Sequence, residues 1–76
     1  MLTVKRWYYE KENAQNQWDR NEISEETYNN RTRYALERIY LEGNKQDKEA
    51  AMRMAKAHGY YDFSPKKKVM LLGSDH

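Results

Sequence analysis

Three stretches of this chain carry apolar residues at intervals of three and four, and two of them end on a glycine that suits a helix stop. The middle stretch is the clearest. Tyr28, Thr32, Ala35, Leu36 and Ile39 repeat at helical spacing, with Tyr40 at the edge of the stripe. Ser24 has the chemistry of an N-cap, and Glu25 and Glu26 follow in the first turn, where carboxylates favour the helix dipole. Ile23 and Tyr28 have the spacing of a hydrophobic staple around that cap. Gly43 suits a left-handed residue closing the last turn, so the pattern predicts a helix over about 25–42. Within it, Arg33 with Glu37 and Arg38 with Glu42 are candidate i,i+4 charge pairs.

A second helix is expected over about 46–58, capped by Asn44 or Asp47 and stopped by Gly59. Ala50, Ala51, Met54, Ala55 and His58 share one face, with Glu49, Arg53 and Lys56 opposite. The alanines permit close approach to a neighbouring helix, and Tyr60 is placed to fold back as in a Schellman-type ending. The first stretch is more ambiguous. Val4, Trp7, Tyr8, Ala14 and Trp18 form a helical stripe completed by the stems of Lys11 and Gln15. Lys5 and Arg6 oppose it at the positive end of the dipole, and Thr, Val, Trp and Tyr also suit a strand. Period-two alternation fails at Arg6, which favours helix. In the alternative, residues 2–9 pair with Val69–Leu72 in a short two-stranded sheet, giving an α+β domain. The expected fold is thus an all-α three-helix domain over residues 1–63, followed by an irregular basic tail over 64–76 opened by Ser64-Pro65.

Composition sharpens this picture. A 76-residue chain builds one marginal core, and the absence of cysteine removes both disulfides and thiolate metal ligands. Good helix packing, self-association or a partner must supply the remaining stability. Ten of the residues are aromatic: seven Tyr, two Trp and one Phe. With a formal net charge of only +2, any electrostatic role must come from local clustering. The start of the chain reads as no secretory signal, and Val69–Leu72 is far too short to span a bilayer, so an intracellular, cytoplasmic protein is expected, with no membrane partner.

Residues Trp18 to Leu36, centred on Glu22-Ile23-Ser24-Glu25-Glu26-Thr27-Tyr28, resemble the short helical hairpin called the SHOCT domain. Those modules have a helix, a turn ending in Ile and Thr or Ser, two acids, and then an aromatic, basic helix. The resemblance covers about a quarter of the chain, and Asn21-Glu22 stands where such modules commonly carry Gly. It implies contact between chains, since these modules are associated with oligomerisation.

Candidate chemistry is sparse. The two histidines are His58, in an apolar stripe at a helix end, and the terminal His76. No serine stands in a nucleophile-elbow context, and no phosphate-cradling or EF-hand spacing occurs. These features point away from an enzyme, a cofactor, a metal or a small-molecule substrate. The aromatics point to a protein partner or a second copy of the chain. Tyr9 lies opposite the first stripe, and Tyr34 and Leu41, seven apart, form a second apolar patch off the main stripe of their helix. The third helix either covers that patch or leaves it as a binding face. With Arg31 and Arg38 nearby, Tyr9, Tyr34 and Leu41 are the expected interface, since hot spots are often Tyr, Trp and Arg. A chain of this size suits a regulator or inhibitor of the kind that phages and mobile elements carry.

The alternative is a nucleic-acid-binding protein. It would use Arg31, Arg38, Arg53 and Lys56 with Lys66, Lys67 and Lys68, where Ser64-Pro65-Lys66-Lys67 resembles the SPKK unit of linker-histone tails. Against it, the helical bases are interleaved with acids and no helix is dominated by positive charge. Lys66–Lys68 equally suit gatekeepers that keep Val69–Leu72 soluble.

Overall fold

The computed structural model of the chain describes residues 2–60 and residue 63, and the expected basic tail at 64–76 lies outside them. Three helices run in order: α1, Leu2–Asp19; α2, Glu25–Glu42; and α3, Lys45–Ala57. No strand occurs among the described residues, and residues 2–9 belong to α1, which removes the two-stranded alternative for that segment. The energies explain the outcome. A mismatched charge near a helix end costs about 0.3–1 kcal/mol, whereas burying one large apolar side chain yields about 1.5–3 kcal/mol. Val4 is buried and Trp7 and Tyr8 pack on the core, so the helical stripe prevails over the awkward Lys5 and Arg6.

α2 is the middle layer, and α1 and α3 each run antiparallel to it. Leu36, Ile39 and Thr32 are fully enclosed, and Val4, Ala51, Ala55, Tyr60 and Phe63 close around the two apolar members of that set. Ala51 and Ala55 bring α3 onto α2 as their small size allows. At the opposite end, Trp18 stacks on Tyr28 at 5.2 Å, and Tyr28 donates a 2.7 Å hydrogen bond to Gln15, fixing the register of the α1–α2 hairpin.

The helix ends show which local signals decided the fold. Ser24 accepts from the Thr27 amide and caps α2. Asn44 caps α3 through a reciprocal capping box, taking the Asp47 amide while Asp47 takes its own. α1 ends with Asn21 at φ 60, where the Asn21 amide bonds to Trp18 and the Glu22 amide to Gln17. Asn is among the few residues with a side chain that tolerate this left-handed region. α3 ends in a full Schellman motif: Gly59 has φ 86, its amide bonds to Lys56, and the Tyr60 amide bonds to Ala55.

Gly43 departs from expectation. Its backbone is extended, at φ −88 and ψ 175, and not left-handed. The position needs glycine for space: a Cβ there would lie 2.3 Å from the Asp47 Cβ and 2.7 Å from the Ile39 carbonyl oxygen. Two helices joined by two residues bring the capping box of α3 against the last turn of α2.

Candidate functional surface

Trp7 is the organiser of one surface. From α1 it meets Tyr34 of α2 edge-on, with ring centroids 5.4 Å apart, and its indole N–H donates to Glu42 at 3.2 Å. The second oxygen of the Glu42 carboxylate accepts from Arg38, so one carboxylate holds both the indole and the guanidinium. Arg6 lies over the Trp7 ring, its guanidinium carbon 5.1 Å from the centroid. Beyond Tyr34, Leu41 continues the strip along α2. Tyr34 is 53% exposed and Leu41 39%, so α3 does not cover the patch. The reason is angular. Residues 34 and 41 lie about 160° and 140° around the helix from Leu36, at 100° per residue, on the side away from the core.

The expected interface residues therefore separate into three groups. Tyr34 and Leu41 share an open strip. Tyr9 is 64% exposed but lies about 160° around α1 from Trp7, so it does not join that strip. Arg31 and Arg38 are engaged within the chain: Arg31 donates to Gln17 and reaches Glu10 at 3.9 Å, bracing α1 against α2, and Arg38 pairs with Glu42. Trp7, read from the sequence as part of the first stripe, also borders this strip through Tyr34 and Glu42.

A second surface lies on α3, where Arg53 and Lys56 are both exposed. Lys48 donates to the Tyr40 carbonyl at 2.6 Å and sits 4.9 Å from the centre of its ring. Tyr40, Lys48, Glu49, Met52 and Arg53 line an open groove beside it. Lys66, Lys67 and Lys68 lie outside the described residues.

Where the far ends of the helices meet, Tyr28, His58 and Tyr60 form a ladder, with His58 stacked on Tyr60 at 5.4 Å and edge-on to Tyr28 at 6.2 Å. Burial, reinforced by the charge of Lys11, holds the His58 imidazole below its ordinary pKa. Tyr60 donates to Asn29 at 2.9 Å beneath the Arg33 guanidinium, so this cluster is occupied in joining α3 to α2. Among the described residues no three His, Asp or Glu side chains gather as metal ligands, and no helix is long and apolar enough to cross a membrane. No family model, curated protein or solved structure matches the chain.

Proposed function

We propose that the chain is a non-enzymatic interaction protein, a small regulator or inhibitor that docks the Trp7–Tyr34–Leu41 strip onto another protein chain, a second copy included. The observation that carries this reading is the exposure of Tyr34 and Leu41 on a face of α2 that α3 leaves open and α1 meets at Trp7. Leaving such groups in water forfeits about 1.5–3 kcal/mol for each fully buriable side chain, in a domain whose core supplies roughly 3–5 kcal/mol. Trp7 is pre-positioned by Glu42, so little ordering cost remains when a partner arrives. The resemblance of residues 18–36 to an oligomerisation hairpin supports the same reading.

Light scattering on the purified chain tests the self-association branch, where a dimer has twice the 9.3 kDa monomer mass. Leu41→Glu is expected to return a dimer to monomer, or to abolish target capture, with helix content retained because Leu41 is already partly in water. Unfolding of Leu41→Glu would place the patch in the core. A monomeric wild type whose target capture survives Tyr34→Ala would sink the reading.

A further inference from the structure

The fold removes one of the two acids of α3 from its outward face and leaves Glu49 among the bases. Asp47 is turned inward: its carboxylate accepts from the Asn44 amide at 3.1 Å and from the Tyr8 hydroxyl at 3.2 Å. The outward side of α3 keeps Lys45, Arg53 and Lys56, all exposed, with the half-buried Lys48 at its edge, against the single exposed acid Glu49. Lys45, Arg53 and Lys56 enter no ion pair among the described residues. Lys45 and Lys56 are eleven positions apart, which sets them within about 20° of one another around the helix and about 16 Å apart along it.

From this we infer that the outward face of α3 binds the phosphate backbone of double-stranded nucleic acid, lying across a groove with Lys45 and Lys56 reaching opposite strands. The B-form major groove is about 12 Å wide and admits an α-helix, so cations spread over about 16 Å meet phosphates on both rims. The same face is poorly made for a protein partner. Protein interfaces are depleted of charge at their centres and enriched in aromatics, whereas nucleic-acid interfaces are polar and cationic. Here Met52 is the one large apolar side chain exposed on α3, and the exposed aromatics lie on α1 and α2. The inference goes beyond the protein-contact reading and does not rest on it, because Trp7, Tyr34 and Leu41 belong to the other flank of α2.

Fluorescence anisotropy with a labelled 20-base-pair mixed-sequence DNA duplex, from 50 to 200 mM NaCl, tests it on the full chain. Four phosphate contacts give a log–log salt slope of about −3.6, so wild-type affinity should fall about 150-fold over that range. Lys45→Gln/Arg53→Gln/Lys56→Gln should bind more weakly at 50 mM, with a slope near −0.9 and a fall of only about fourfold. Its thermal midpoint should match the wild type, since all three side chains are exposed. Glu49→Gln should bind the duplex more tightly, a change that a merely structural role would not produce. Arg20→Gln, which alters an exposed cation paired with Glu22 in the α1–α2 turn and off α3, should leave binding unchanged, as should Leu41→Glu. Three results would overturn the inference: no salt-dependent binding by the wild type, equal losses in the Arg20→Gln variant and the triple variant, or equal competition by poly-glutamate, which would give the face to an acidic protein.

Discussion

Two glycines in this fold are required for opposite reasons, and exchanging each for the same residues separates them. Gly59 has φ 86, and no atom lies within 4 Å of where a Cβ would stand, so its requirement is conformational. Gly43 has an ordinary extended φ but no room, so its requirement is steric. Gly59→Ala forces an L-residue into the left-handed region at about 1–2 kcal/mol, less about 0.4–1 kcal/mol from the stiffer unfolded chain, for a net loss near 1 kcal/mol. Gly43→Ala drives a methyl into Asp47 and the Ile39 carbonyl. Relief requires Asp47 to move, which gives up the capping box, worth about 1 kcal/mol, and the Tyr8–Asp47 hydrogen bond, worth about another. The expected loss of about 2 kcal/mol is a large part of the roughly 3–5 kcal/mol available to a domain this small.

Urea unfolding followed by circular dichroism measures both. Asparagine then discriminates, since Asn21 already occupies the left-handed region at φ 60 in this chain. Gly59→Asn should recover part of the loss seen with alanine, whereas Gly43→Asn should be at least as damaging as Gly43→Ala. Equal rescue by Asn at both positions would refute the steric account of Gly43.

Thr32→Val should change stability by no more than about 1 kcal/mol in urea unfolding, because the buried Thr32 hydroxyl has only a weak interaction with the Tyr28 phenol. Tyr60→Phe should cost about 1 kcal/mol in the same assay, the worth of its hydrogen bond to Asn29, while Tyr60→Ala, which empties a core site, should cost about 3–5 kcal/mol. The folded state holds His58 below 6.5, so the unfolded chain takes up a proton first. Stability should therefore fall as pH drops below about 6.5 and level off below the folded value, and His58→Gln should flatten that part of a thermal-midpoint profile. Burial raises the Tyr8, Tyr28 and Tyr60 phenols above 10, so stability they contribute is present below that pH and lost as pH rises through their folded values, with phenolate absorbance following unfolding.

Much of the scaffold was legible because its signals are local. Ser24 with two acids, Asn44 with Asp47, and Gly59 with Tyr60 each act within a few residues, and α2 spans Glu25–Glu42 as its periodicity predicts. Gly43 was misread because a glycine after a helix stripe looks the same whether it supplies a backbone angle or room. The Arg38–Glu42 pair is i,i+4 and visible in the sequence, whereas Glu10 and Gln17, which engage Arg31, come from another helix and are not. The open patch at Tyr34 and Leu41 was visible as a position off the stripe, but whether α3 covered it depended on the side of α2 that α3 chose. The cationic face of α3 was hidden for a related reason. Sequence counts Asp47 against the lysines, while the fold spends it on Asn44 and Tyr8.

No Cα of α1 lies within 8 Å of a Cα of α3, so the two outer helices meet through side chains such as Tyr8 and Asp47 and otherwise depend on α2. The chain is accordingly wired in series, each helix packing on the next one in sequence. Small helical bundles fold in microseconds to milliseconds. The serial packing also separates the domain into two units that open at different costs. Amide protons of α3 should exchange through a local opening in which the α1–α2 hairpin stays closed. In that excursion the aromatic strip on the hairpin persists while the basic helix swings free, so occupancy of one surface need not require the other to be formed.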